Sequence, residues 1–83
     1  MTDPVSWMVV EEGWPVVDSD GKEVGTVADV IADEEKDIFS GLHVRTSRFL
    51  GSTRYVAAEH VRRILEGRIE LDVRGDALPE LED

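Results

Sequence analysis

The sequence predicts an all-β fold, a small closed or partly open antiparallel barrel of about six strands. Three observations predict it. Short β-branched runs alternate with turn signals at spacings of roughly 8–12 residues, with almost no helical periodicity between them. An Asp-Gly turn, Asp20-Gly21, lies between two valine-rich runs, which is the strongest short-range hairpin signal. A chain of 83 residues is too short to bury two full sheets, so one sheet curled on itself is favoured because closure removes exposed edges.

The elements follow in chain order. Trp7-Met8-Val9-Val10 reads either as an edge strand or as a lid. Val16-Val17 enter the turn Asp18-Ser19-Asp20-Gly21-Lys22, and a second strand leaves it over residues 24–31. In that strand Val24, Val27 and Val30 recur every third residue, a spacing that also suits a helix. Gly25 and five β-branched residues inside the eight-residue window argue against helix. A bulge near Gly25 reconciles the spacing with a strand, because the extra residue shifts the inward face and bends the chain.

Asp33 to Asp37 form a charged turn, and Ile38 to Thr46 a third strand with Leu42, Val44 and Thr46 on one face. Ser47 to Ser52 make a loop around Gly51, and Thr53 to Ala57 return as a fourth strand. Ala58-Glu59-His60 make one short helical turn. Val61 to Leu65, Glu66-Gly67 and Arg68 to Arg74 then read as a closing hairpin. Its second strand alternates Ile69, Leu71 and Val73 with Glu70, Asp72 and Arg74, the pattern of a half-buried strand. Residues 76–81 can form a last turn over one barrel end. The whole chain, 1–83, is expected to be a single domain.

Composition narrows the function. There are no cysteines, which excludes disulfides and thiolate zinc sites. Met1-Thr2-Asp3-Pro4 lacks the basic and apolar regions of a secretory signal, and no apolar run approaches the roughly 18–20 residues that span a bilayer. A cytoplasmic location without membrane insertion is the expectation. Net charge is −10, unevenly spread. Residues 1–37 hold eleven acids against Lys22 and Lys36, whereas residues 38–74 hold seven arginines against four acids. An acidic domain repels phosphate backbones, so direct nucleic-acid binding is not expected. The simplest reading of the excess is solubility; pairing of opposite faces between subunits is the functional one.

The order of motifs resembles the PRC-barrel family from about Glu12 to Val73. The resemblance rests on Gly13-Trp14-Pro15-Val16-Val17-Asp18-Ser19-Asp20-Gly21-Lys22-Glu23-Val24-Gly25-Thr26-Val27-Ala28-Asp29-Val30, then Gly41-Leu42-His43-Val44, Phe49-Leu50-Gly51, Arg54-Tyr55-Val56, Val61 and Ile69-Glu70-Leu71-Asp72-Val73. Order and spacing together carry it, since no single piece is specific. Family members often have proline after the valine matching Val56, where this chain has Ala57. The resemblance implies a compact β-barrel of the kind found in the cytoplasmic domain of the photosynthetic reaction-centre H subunit, in a ribosome maturation factor and in small stand-alone prokaryotic proteins, some linked to cell division. It implies action through protein contacts and offers no shared catalytic residues.

Candidate chemistry is sparse. Asp18-Ser19-Asp20-Gly21 resembles part of a calcium loop. Placing Gly21 at the sixth position, however, puts Val16 and Val27 where carboxylates must stand, so a hairpin turn is favoured. The run Asp33-Glu34-Glu35-Lys36-Asp37 could hold a cation weakly but reads as a solvated turn. His43 and His60 lack a nucleophile or paired carboxylate at useful spacing, and no phosphate-binding glycine loop is present. No cofactor and no enzymatic activity are expected.

The block from Arg45 to Arg54 sets Arg45, Arg48 and Arg54 around Phe49 and Leu50, the composition of an interaction hot spot. The competing and favoured reading of Phe49 and Leu50 is a plug for one barrel end. Trp14, the remaining surface candidate, is expected to pack as core or lid in preference to stacking on a ligand. The function these features favour is a non-enzymatic adaptor, acting as a homodimer or against an acidic protein surface. A small-molecule or cation-binding, stress-related barrel, and a ribosome accessory working through protein contacts, are the alternatives.

Overall fold

The computed structural model describes residues 6–33, 35–36, 38–46 and 52–79. Six strands follow one another: β1 (Pro15–Val17), β2 (Glu23–Asp33), β3 (Ile38–Arg45), β4 (Thr53–Ala57), β5 (Val61–Leu65) and β6 (Arg68–Leu71). Three single-turn 3-10 helices punctuate them at Trp7–Val9, Ala58–His60 and Gly75–Ala77. The segment around Trp7 is therefore a turn laid on the sheet, as a lid would be, and not an edge strand. The strands form one sheet in the order β4-β3-β2-β1-β6-β5.

Four of the five pairings are antiparallel, and β1 runs parallel to β6 through Val16–Ile69 and Val17–Glu70. An all-antiparallel ladder was the expectation, because hairpin signals report only strands adjacent in sequence. The direction of β6 is set elsewhere, by the Ala58–His60 corner that swings the β5–β6 hairpin around to β1.

The expected strand at 24–31 is the centre of the 11-residue β2, and bulges explain its three-residue valine spacing. Val24 is the extra residue opposite Val16 and Val17 in β1, and Ala28 the extra residue opposite His43 and Val44 in β3. Each bulge shifts the register by one, so Val27 and, beyond Ala28, Val30 both turn to the core while Asp29 stays exposed. Ser40 makes the matching bulge in β3, and its carbonyl accepts a hydrogen bond from the Tyr55 hydroxyl at 3.2 Å. Sharp bending brings backbones together. A methyl group on Gly25 would collide with the Arg45 carbonyl, and one on Gly41 with the Val56 carbonyl and the Tyr55 ring.

The inner faces of all six strands contribute to one core: Val16, Val27, Leu42, Val44, Val56, Ile64, Ile69 and Leu71. His43 lies on the opposite face of β3 from Leu42 and Val44, edge-on to Tyr55 with ring centroids 6.2 Å apart.

The barrel remains partly open. Strands β4 and β5, at the two ends of the ladder, are joined by the Ala58–His60 corner but do not pair with each other. The segment after β6 covers one of these ends. Leu78 inserts into the core with 4 % of its surface exposed, the Pro79 carbonyl accepts from the Tyr55 amide at 3.1 Å, and the Leu78 carbonyl accepts from the Arg54 guanidinium at 2.8 Å. This strap does the work expected of a turn at 76–81, although its helical turn begins one residue earlier and residues 80–81 lie outside the described residues.

Replacement of Gly25 by alanine is expected to cost about 1–3 kcal/mol, because the obstacle is backbone that cannot turn aside. Thermal unfolding should shift down by several degrees, and a change within error would show that the β2–β3 approach can relax.

Candidate interaction surface

The turn between β1 and β2 folds around one carboxylate. Asp18 Oδ1 accepts the amides of Asp20 at 2.9 Å and Lys22 at 3.0 Å, which is how an aspartate organises a tight turn. Its Oδ2 accepts the amide of Gly75 at 3.0 Å, 57 residues away in sequence, and the Ser19 amide donates to the Val73 carbonyl at 2.9 Å. Asp18 is thus the latch of the strap, and is 9 % exposed. The Gly75 hydrogen bond is the largest influence holding its pKa below the ordinary value; burial opposes this, and the Lys22 and Asp20 amides add to it. Such use of the carboxylate explains the calcium-like appearance of the turn without a cation. Asp33 acts similarly on a smaller scale, its Oδ1 accepting the amides of Glu35 and Lys36. Among the described residues, no three His, Asp or Glu side chains converge as metal ligands would.

A cleft of about 390 Å³ lies between this turn, the strap and the ends of β3 and β4. Its polar side chains largely pair with one another. Arg74 sits 3.6 Å from both Asp20 and Asp76, and the Thr46 hydroxyl meets Ser52.

Of the arginine-rich block expected to form an interaction surface, the structure describes Arg45 and Arg54. Arg45 ends β3 exposed to solvent, whereas Arg54 is half buried and bonded to the strap. Trp14 is half buried against the core, in line with core packing. Arg48, Phe49 and Leu50 lie outside the described residues.

A second surface, which the motif reading passed over, lies along β5. Arg63 stands directly opposite Glu70 across the β5–β6 hairpin and hydrogen-bonds its Oε1, while Arg68 reaches Oε2 at 2.7 Å. The Glu70 side chain is 14 % exposed. The hydrogen bond from Arg63 leads the influences that hold its pKa below the ordinary value, against desolvation, and the charges of Arg63, Arg68 and Arg62 reinforce it. Arg63 and Arg68 therefore share one carboxylate. At the other end of the hairpin, His60 Nδ1 lies 3.4 Å from Asp72. The signal was available: counting back from the two-residue turn Glu66-Gly67 sets Leu65 against Arg68, Ile64 against Ile69 and Arg63 against Glu70.

Beside this cluster, an apolar groove of about 330 Å³ runs along the open side of the barrel. Val61, Arg63 and Ile64 of β5 form one wall, with Trp7, Phe39 and Ala58 across from them. Trp7 stacks on Phe39 with ring centroids 6.1 Å apart and 12° between planes. The Ser6 hydroxyl caps the Trp7–Val9 turn by accepting the Met8 amide at 3.2 Å.

The family model for the PRC-barrel domain matches residues 12–78. The chain belongs to the PRC-barrel family. Comparison with curated proteins finds no match. The matched span of this PRC barrel includes the strap as far as Leu78 but stops short of Ser6 and Trp7, so the groove is walled partly by residues outside the family's common core. Among the described residues, no helix is long and apolar enough to cross a membrane.

Both depressed carboxylates link stability to pH with the same sign. Their contribution is fully present above the ordinary values of 3.8 for Asp18 and 4.5 for Glu70 and is lost as pH falls below them through the lower folded values. Melting temperature should therefore be nearly level on the neutral side of these values and drop below about pH 4. Asp18→Asn offers an amide group to one of the donors that Asp18 now satisfies, and should cost about 1–3 kcal/mol at neutral pH while flattening the acid limb. An unchanged acid limb in this variant, measured by circular dichroism melts, would show that Asp18 does not latch the strap.

Proposed function

We propose that this PRC barrel is a non-enzymatic protein-interaction module, an adaptor that works in the cytoplasm and associates with a second copy of itself. The observation that carries the reading is the apolar surface at the open side of the barrel. Met8, Val9 and Ile38 are about half exposed, and they are the large apolar side chains left to solvent among the described residues. The Trp7–Phe39 stack holds the turn bearing Met8 and Val9 against the strand that begins at Ile38, and the groove lies next to it. Adjacent exposed apolar side chains at Met8 and Val9, next to an apolar groove on a chain of which 34 % is charged, mark a place where another protein covers the surface. A net charge of −10 opposes contact between copies elsewhere, so an uncharged patch is where a homodimer forms at least electrostatic cost.

The non-enzymatic part of the reading is supported by how the titratable groups are used. Asp18 serves three backbone amides, Arg74 sits between Asp20 and Asp76, and His60 faces Asp72. These are partners that build structure rather than a nucleophile activated by a base. The PRC-barrel family acts through protein contact, which agrees with this use.

Sedimentation equilibrium at micromolar concentration is expected to show a dimer that Met8→Glu converts to a monomer with an unaltered circular-dichroism spectrum, because Met8 is exposed and outside the core. A strict monomer in the unaltered protein, together with no protein crosslinked to it in native lysate, would remove the reading.

A further inference from the structure

We infer that the β5 edge and its groove take an extended acidic segment of a partner protein, which adds a seventh strand to the sheet and places one apolar side chain between Trp7 and Ile64. The inference rests on the interaction-module reading and names the chemistry of the partner.

The first support is the different state of the two sheet edges. The outer side of β4 is occupied: the Tyr55 amide donates to Pro79, and Arg54 holds the neighbouring carbonyl of Leu78. Strand β5 is the last in the ladder and has β6 as its one strand neighbour among the described residues. An exposed edge offers unpaired amides and carbonyls that an extended peptide can satisfy, and adjacent pockets for alternate side chains then supply specificity. The groove lies along this edge, where Val61 and Ile64 face the Trp7–Phe39 stack. Its lining is mainly apolar, without the converging polar groups that orient a free metabolite.

Charge decides the class of occupant. Arg63 and Arg68 share the carboxylate of Glu70, and β5 itself carries the exposed Arg62 and Arg63 and no acidic residue. Strand β5 thus carries two positive charges, bounded by Glu59 and Glu66, on a protein of net charge −10, so an acidic segment is drawn to it that the rest of the surface repels. A second copy seated by two-fold pairing of β5 with β5 would bring these arginines against their own counterparts. That disfavours the copy here, although not at Met8 and Val9.

The test uses the full chain and a capped, fluorescein-labelled heptapeptide alternating glutamate with valine around a central leucine, with a lysine-for-glutamate control. The acidic peptide should raise fluorescence anisotropy saturably, lose affinity with added salt, and shift amide resonances of Val61–Leu65 more than those of Thr53–Ala57. Arg62→Glu, which alters an exposed side chain, should weaken it about tenfold while leaving the melting temperature unchanged. Trp7→Ala should also weaken the acidic peptide, because Trp7 lines the groove. No binding, equal binding of the lysine control, or shifts confined to β4 or the cleft at Asp18 would overturn the inference. So would an unliganded dimer whose β5 amides are already protected from exchange, since a second copy would then be the occupant. In each of these cases the interaction-module reading stands or falls separately, on sedimentation and crosslinking.

Discussion

A ladder of six short strands in this chain ends in two edges, and their treatment shapes everything else in the molecule. Buried backbone amides and carbonyls must find partners, while exposed ones are open to any passing strand. The β4 edge is met by the strap, whose carbonyls at Leu78 and Pro79 take hydrogen bonds that a neighbouring strand would otherwise take. Among the described residues, strand β5 receives no such cover. The strap is itself held at its far end by Asp18, so one carboxylate in the first hairpin determines whether the opposite side of the barrel is sealed.

The small size of the core makes that seal important. Among the described residues nine buried side chains, Leu78 included, form the cluster; all are valine, leucine or isoleucine, and no strand contributes more than two. Each large side chain contributes on the order of 1.5–3 kcal/mol when fully buried, so loss of the Leu78 plug would remove a sizeable share of a marginal total. The bulges at Val24, Ala28 and Ser40 serve the same end. They bend β2 and β3 enough for six strands to enclose a core, and glycine at positions 25 and 41 allows the backbones to meet where they bend.

The two surfaces differ in kind. At the cleft beside Asp18, Arg74 lies between Asp20 and Asp76 and the polar atoms hold loops in place. Along β5 two exposed arginines stand on the strand, apolar side chains line the adjacent groove, and among the described residues the outer backbone has no strand neighbour. Structural polar networks tend toward full satisfaction, whereas recognition surfaces retain capacity for a partner. The contribution of Ser6 and Trp7 to the groove places its distinctive wall outside the PRC-barrel core, as is common when a shared fold is adapted by its flanking segments.

Local chemistry made most of the strands legible. The Asp-Gly turn, the β-branched runs, the bulge near Gly25, the corner at Ala58–His60 and the alternation through Ile69 and Leu71 follow from turn preferences and period-two burial, which act over a few residues. The roles of Arg54 and Trp14 were less accessible, because composition marks arginine and tryptophan for an interface whether they face solvent or, as here, bond a strap and pack on the core. The sequence by itself determined the all-β class, the hairpins and which residues turn inward. The tertiary structure alone decided the parallel meeting of β1 with β6, the reach of Asp18 to Gly75 and which edge stayed open, since these join residues some fifty apart, whose proximity depends on how the whole sheet curls and leaves no periodic trace in the chain.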